Sequence, residues 1–542
     1  MAALFHGKVQ MDVYDGLVFA AYLVGLLAIG AYTSYRQRAS RDLFLADRSM
    51  GWFNVGLSIF GTNIGPTFLV ATFGAGYTTG MVNANYEWMA WVFLMLLGMG
   101  FVPFYMLTGI STMPGFLQRR FGNGCYTFYA MYSLFGTVVL WIGGTLFAGG
   151  DILAQLLGWD FMTCVWLLAV VTASFTVAGG LMAVMVTDSF QSILMILGAA
   201  SLVVLAGLQV KDIDSLRQLV VGDTPPGYTW KLLHPTGPSP WYAFVLGYPV
   251  LSLWFWCSDQ TIVQRVLGAR DLRQGQAGVL FCGFLKILPP FIFLLPGILC
   301  AALHPGIEDD KDVFLFMVRT YLPSGLVGLM VAVVVAAVVS TLDSGLNSFS
   351  TIFTLDIYKR WISPDASDSR LKQVGRVVTI LASFMAVGIA YYLNTVQSNL
   401  FNLFQSIIGY LAPPISAVFL LGVFWPRATA KAAIVTLVVG SILSATIGFC
   451  DIKDVFARHV DGKLVDIWPH FLLLSFYLFA GLVIMMVILS LCTRHSECET
   501  ILPSLRQAYA QNPGLGRHAL WGWTALGLIM SCLYLFFQFV IG

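Results

Sequence analysis

Charged residues are scarce: Asp, Glu, Lys and Arg make up 10% of the 542 residues, where soluble domains carry about 25%. Long polar stretches are missing too. The two longest, near 208–240 and 493–517, are too short for a soluble domain, which excludes an attached kinase, nucleotide-binding or receptor module. The nine cysteines are scattered, odd in number and without a CxxC pair, so neither a disulfide framework nor a zinc site is expected. None of the seven histidines falls in the middle of an apolar run, which argues against an intramembrane proton relay or metal centre. No Ser-His or Cys-His constellation is evident either, so an enzyme is not expected. No Asn-x-Ser/Thr sequence occurs, in keeping with a bacterial inner-membrane protein rather than a glycosylated one. The net charge of +2 gives no reason to expect a nucleic-acid partner.

What is present is apolar sequence. The chain is 58% hydrophobic with a mean hydropathy of +0.80. Runs of about 20 residues, enough to cross ~30 Å of hydrocarbon, recur from end to end. Fourteen spans are expected, near 13–33, 52–76, 83–112, 124–156, 162–180, 185–207, 241–261, 276–303, 322–357, 371–394, 400–424, 430–450, 467–492 and 519–541. The first is not a cleavable signal, because it runs into the Arg-rich segment Arg36–Arg41. Basic residues favour one set of alternate loops, including Arg36, Arg48, Arg119, Arg120, Arg265, Arg270 and Arg376, by about two to one. That set is assigned to the cytoplasm, and an even span count then places both termini outside.

Lys286 is the exception among the basic residues. It sits deep inside GVLFCGFLKILPPFIFLLPGILCA (278–301), where a charge costs several kcal/mol unless it faces a partner or a water-filled cavity. Glu87, Asp151, Asp188 and Asp343 also lie within or at the edges of apolar segments. Two spans carry helix breakers. The second contains IFGTNIGPTFLV (59–70), and the seventh contains FVLGYPVLSLWFW (244–256), with breaks expected at Gly61–Pro66 and at Gly247–Pro249. Breaks at matching positions of two inverted five-span halves point to a transporter core with a midplane site. The ninth span groups Ser340, Thr341, Asp343 and Ser344 within about one turn. Such hydroxyls, together with carbonyls from a broken neighbour, make an oxygen cage for a hard monovalent cation such as sodium. Asp343 and Asp188 add negative charge for a second ion.

The motifs NYEWMAW (85–91), GGLMAVMVTDSFQ (179–191), SDQTIVQRVLGARD (258–271), VVSTLDSGLNSFSTIFTLDIYKR (338–360) and FQSIIGYLAPPISAVFLLGVFWPR (404–427) occur in this order. With them the chain resembles the sodium/solute symporter family over essentially its whole length, and within it the sodium–glucose cotransporter branch. The resemblance implies an all-α polytopic membrane fold, the LeuT-type inverted five-helix repeat with about 14 transmembrane helices. Residues 13–33 would be an extra N-terminal helix, 52–207 and 241–424 the two repeats, and 430–541 peripheral helices. It implies a co-transported sodium ion held by Gly61, Ile64, Ala337, Ser340 and Thr341, and a second near Asp188, Asp343 and Ser344. The solute site it implies comprises Asn63, Phe68, Glu87, Ser252, Trp256, Lys286 and Gln405, with Phe255 as the aromatic gate. Phe68 stands where sugar transporters of the family usually have His or Gln, and Ser252 also departs from the pattern. The expected activity is sodium-coupled uptake of a hexose by alternating access, in a chain sufficient as a monomer. The alternatives at this stage are symport of a polyol such as inositol, a sugar acid or a small carboxylate; a passive channel; and a membrane enzyme or sensor.

Overall fold

The computed structural model describes residues 11–37, 42–210, 228–235, 240–396, 400–453, 455, 457–460, 463–466, 469–494, 505–511 and 514–541. Among the described residues nearly all secondary structure is helical, apart from one two-stranded hairpin of Ala457–Val460 and Lys463–Asp466. Eleven helices among the described residues are long and apolar enough to cross a membrane, or twelve when one sharply bent pair counts as a span.

The bent pair is α2 (Trp52–Asn63) and α3 (Pro66–Thr79), which follow α1 (Val13–Gln37) and meet at 65°. The cause is local. Pro66 has no N–H, and its ring disfavours the helical conformation of the residue before it. Gly65 is accordingly extended (φ −84°, ψ 170°) and Ile64 leaves the helical region (φ −86°, ψ 79°). Pro66 then opens α3 at a position where the missing donor is harmless.

The chain continues through α4 (Met81–Thr108), α5 (Met113–Phe121), α6 (Asn123–Leu157) and α7 (Phe161–Gly207). The expected spans 162–180 and 185–207 form this one 47-residue element. As a straight rod it would be ~70 Å long, over twice the hydrocarbon thickness. It is instead two helices joined at Gly180, whose φ of 52° and ψ of −150° suit a residue without Cβ. The Leu43 carbonyl approaches Gly180 where a Cβ would stand, and the Leu181 N–H bonds to it at 3.1 Å.

The seventh span corrects an expectation. Gly247 and Pro249 both lie inside α8 (Trp241–Ser252). Gly247 is needed for close packing, because a Cβ there would strike the Leu472 carbonyl of the helix Phe471–Cys492. The helix widens into a π stretch at Leu253–Ser258, and the chain breaks only at Asp259 (φ −71°, ψ 132°) before α9 (Gln260–Leu267). Past Pro249 the ladder continues with an ordinary bond from the Leu253 N–H to the Pro249 carbonyl, and only then re-registers to the wider π spacing. The Asp259 N–H accordingly reaches back to the Trp254 carbonyl at 2.9 Å.

Next come α10 (Leu272–Leu303), α11 (Asp312–Tyr321) and α12 (Leu326–Ile362). The most apolar window of α12 is 89% buried, which makes it the central helix of the bundle. Beyond it lie α13 (Asp368–Val396), α14 (Leu400–Phe424), α15 (Ala430–Ile452), the hairpin, α16 (Phe471–Cys492), α17 (Leu505–Gln511) and α18 (Arg517–Ile541).

Helix α10 runs along both halves of the broken pair. A Cβ on Gly278 would sit 2.6 Å from the Val55 side chain of α2, and one on Gly297 would strike the Phe73 carbonyl of α3. Lys286 lies between these two contacts, at the level of the break. Small residues permit such close approach of membrane helices, where packing rather than hydrophobicity drives association. Gly297→Ala is therefore expected to destabilise the protein by about 1–3 kcal/mol through overpacking. Gly136→Ala, at a helical position with nothing within 4 Å of its Cβ, should be neutral or slightly stabilising. Thermal unfolding of both variants in detergent checks the contrast.

Candidate ion and solute sites

The end of α2 presents carbonyls that have lost their helical partners, and α12 supplies hydroxyls to them. Ser340 Oγ donates to the Gly61 carbonyl at 3.1 Å and lies 3.4 Å from that of Ala337. Thr341 Oγ1 donates to the Thr62 carbonyl at 3.3 Å. Ile64 stands at the break itself, with its N–H folded back onto the Phe60 and Gly61 carbonyls. Gly61, Ala337, Ser340 and Thr341 are thus brought together by the two helices as the sequence suggested. Ser340 is fully buried and Thr341 is 3% exposed. These oxygens lie along one seam, the donor set a dehydrated monovalent cation needs.

Beside this seam lies a second polar cluster. Asp188 from α7, Asp343 and Ser344 from α12, and Ser58 and Thr62 from α2 converge there, all at 0–1% exposure. Ser58 Oγ donates to Asp188 Oδ2 at 2.6 Å, Ser344 Oγ lies 3.2 Å from Asp343 Oδ1, and Thr62 Oγ1 is 3.0 Å from Ser344 Oγ.

The cluster also contains a residue that the basic-loop pattern had placed at the cytoplasmic surface. Arg265 of α9 is fully buried. Its Nη2 pairs with Asp188 Oδ2 at 3.4 Å and donates to Ser344 Oγ, and its Nε donates to Ser58 Oγ at 2.9 Å. Arg120 is likewise buried, and not in a loop. It donates to the Gly422, Trp425, Pro426 and Ala428 carbonyls at 2.9–3.3 Å, closing the end of α14. Lys286 is therefore not the only cation in the interior. Arg265 lies just past an apolar run and Arg120 lies in a short amphipathic helix, so hydropathy alone reads both as interfacial. For Arg265 a signal was present: the other residues of QTIVQRVL (260–267) are uncharged and mix polar with apolar, and every residue of α9 is buried.

Lys286 Nζ donates to both Asn63 Oδ1 and Glu87 Oε2. It also lies 5.1 Å from the centre of the Trp256 ring and 6.0 Å from that of Phe60. The ammonium is thus held by a carboxylate, an amide and an aromatic face, which balances most of the cost of its burial. Asn63 belongs to the last turn of α2, so the ion seam and the lysine share one helix end. Phe68 meets Phe293 of α10 edge to face, with centroids 5.9 Å apart, one rung beyond the Asn63–Lys286 contact. Ser252 is buried at the end of α8. Phe255 lies in the π stretch between Trp141 (5.5 Å) and Trp256 (4.6 Å). Gln405 falls on the backbone of α14, and its side chain lies outside the described residues.

Comparison with known proteins follows this geometry. A family model described as "Sodium:solute symporter family" matches residues 43–440. Sodium/glucose cotransporter 2 of Rattus norvegicus is 37% identical over 79% of this chain and 70% of its own length. Sodium/glucose cotransporter 4 of Homo sapiens is 35% identical over 90% of this chain and 77% of its own. The sodium/myo-inositol cotransporter of Homo sapiens is 33% identical over 81% and 67%. Among solved structures, a Na+-coupled sialic acid symporter in a substrate-bound outward-open state superposes with a TM-score of 0.75 at 20% identity. It covers 90% of this chain and 100% of that one, which establishes the common LeuT-type fold. Family match, relatives and fold agree, and the chain belongs to the sodium:solute symporter family, as a multi-pass membrane transporter that couples solute movement to sodium.

Proposed function

We propose that this protein is a sodium-coupled hexose symporter. The observation that carries the reading is the Lys286 ammonium held between Asn63 and Glu87 over the Trp256 face. A sugar ring offers adjacent hydroxyls that both accept and donate. Such a pair can take a hydrogen bond from Lys286 or the Asn63 amide and return one to Glu87, while the apolar face of the ring rests on an aromatic side chain. The named relatives that transport glucose support the same solute class. The second reading is a cyclic polyol. Phe68 against Phe293 replaces a polar contact on one side of the site, and relatives named for myo-inositol stand almost as near in sequence.

In this reading the first sodium binds the Gly61, Ile64 and Ala337 carbonyls and the Ser340 and Thr341 hydroxyls, and a second binds at Asp188, Asp343 and Ser344. The ion ties the end of α2 to α12. That fixes Asn63, the last residue of the same helix and a partner of Lys286, so sodium and solute favour one another's binding. Release follows on the other side after the two five-helix repeats, 52–207 and 241–424, rock against each other. The basic loops face the cytoplasm and both termini face outside, in a bacterial inner membrane. One charge crossing ~100 mV contributes about 2.3 kcal/mol, and a tenfold sodium gradient adds about 1.4 kcal/mol. Together they support a solute gradient of several hundred-fold per coupled ion.

Purified protein in liposomes with an inward sodium gradient is expected to accumulate labelled glucose or galactose above equilibrium, and potassium is expected not to replace sodium. Accumulation competed by myo-inositol but by no hexose would select the second reading, and sodium-independent equilibration would defeat both. Ser340→Ala with Thr341→Ala removes two ion-facing oxygens without adding bulk. Sodium-driven accumulation should fall at least about tenfold, equivalent to 1.4 kcal/mol, and accumulation as strong as that of the unaltered protein would refute the ion assignment. Removing Lys286 alone would strand a buried carboxylate at about 3–5 kcal/mol. The informative variant is therefore Lys286→Met with Glu87→Gln. It should keep its sodium-dependent thermal stabilisation while hexose uptake is lost.

A further inference from the structure

Four helices meet at the Arg265 side chain. Besides Asp188, Ser58 and Ser344, it donates to the Thr261 carbonyl of its own helix. The cluster holds two carboxylates and one guanidinium, so one negative charge is left over if both acids are ionised. Its hydrogen-bond donors are also too few. Ser344 accepts from Arg265 and has a single hydroxyl proton, yet Thr62 Oγ1, the Ser340 carbonyl and Asp343 Oδ1 all lie within reach of it. Asp188 Oδ1 and Asp343 Oδ2 are buried with no donor among the described residues, and the two carboxyl groups lie within hydrogen-bonding reach of each other. A buried anion without a donor is costly. Two facing carboxyls therefore need a proton or a cation between them.

From Arg265 a continuous set of contacts leads to the aromatic gate. The Thr261 N–H donates to Asp259 Oδ1 at 2.8 Å, Asp259 Oδ2 accepts from Trp141 Nε1 at 3.3 Å, and Trp141 packs on Phe255 at 5.5 Å between centroids. Asp259 is also the residue at which the seventh span breaks, the place where a small shift of α9 relative to α8 is easiest.

We propose that Arg265 is a tethered cation that competes with sodium for the Asp188–Asp343 pair and thereby positions the gate. With the second site empty, the guanidinium neutralises Asp188. When sodium arrives between the carboxylates, Arg265 is drawn less strongly to Asp188. α9 relaxes toward the Asp259 break, and the change reaches Phe255 through Asp259 and Trp141. The fixed charge also sets the ion count, because a cluster with one surplus negative charge takes one monovalent cation. This rests on the reading that Asp188 and Asp343 hold a second sodium ion, and the test separates the two.

The measurement is equilibrium binding of 22Na+ to purified protein, together with sodium-dependent uptake in liposomes, for the unaltered chain and for Arg265→Gln, Arg265→Lys and Asp343→Asn. Removing the competing charge should lower the half-saturating sodium concentration of Arg265→Gln by about tenfold, within the usual range of intersite coupling, while its maximal uptake falls. Arg265→Lys keeps the charge and should bind sodium as the unaltered chain does. Asp343→Asn should lose one ion per molecule. Sodium binding by Arg265→Gln that is unchanged or weaker overturns the competition. An unchanged ion count in Asp343→Asn overturns the second-ion reading instead. Should Arg265→Gln not fold, Trp141→Phe removes the hydrogen bond to Asp259 that links Arg265 to Phe255. Unchanged 22Na+ binding with reduced maximal uptake supports the proposal, and unchanged uptake overturns it.

Discussion

A membrane helix that stops at Asn63 and restarts at Pro66 leaves backbone carbonyls without N–H partners in a medium that offers no water to satisfy them. Polar groups of α10 and α12 are arranged around that deficit. Hydroxyls of α12 reach the carbonyls of Gly61 and Thr62, and α10 follows both arms of the bend closely enough to require glycine at two contacts. The same register puts Lys286 opposite Asn63. Unwound backbone is tolerated at this depth only where protein or a polar cavity surrounds it. The break therefore places the hydroxyl–carbonyl seam and the Lys286 contact at one helix end, and in the proposed function coupling between the two needs no long path.

Buried charge is handled by three devices. Lys286 is set against a carboxylate, an amide and two aromatic faces, an environment that keeps hydrogen-bonding groups near a polar solute. Arg120 spends its fork on main-chain carbonyls at the end of α14. Arg265 pairs with Asp188, whose neighbour Asp343 brings a second carboxyl into the same cluster. The first balances a charge and the second satisfies a guanidinium's donors, and both stabilise a fixed geometry. The third gathers two carboxyls around one guanidinium, so its charge state depends on what else occupies the cluster.

The break near Asp259 differs in kind from the break at Ile64. Pro66 begins a new helix, so the chain bends at once and the carbonyls before it are exposed. Pro249 sits inside α8, and the ladder shifts into a π stretch that carries Phe255, Trp256 and Ser258 before the chain lets go at Asp259. A side chain on a π stretch rests on a ladder with weaker geometry than an α-helix. Phe255 is held mainly by Trp141 and Trp256.

Much of this was legible in the residues. Hydropathy located the apolar helices, and the Gly65–Pro66 pair located the bend. The polar run Ser340–Ser344 and the lone Lys286 marked the interior sites, because each of these signals is local: a proline's missing donor or a charge in an apolar run has its physical effect where it stands. The position of the second break was not legible, because Gly247 answers to Leu472 more than 200 residues away and Pro249 stands inside a helix that continues past it. Nor was the role of Arg265 legible. A basic residue beside an apolar segment has the same composition at a membrane surface as in a buried cluster. What separates the two cases is whether Asp188, Asp343 and Ser58, from three other helices, arrive around it. The sequence by itself determined the membrane class, the broken helix and the chemical kinds of group in the core. The tertiary structure decided which charges are paired and which share one cluster, because that grouping depends on helices distant in the chain.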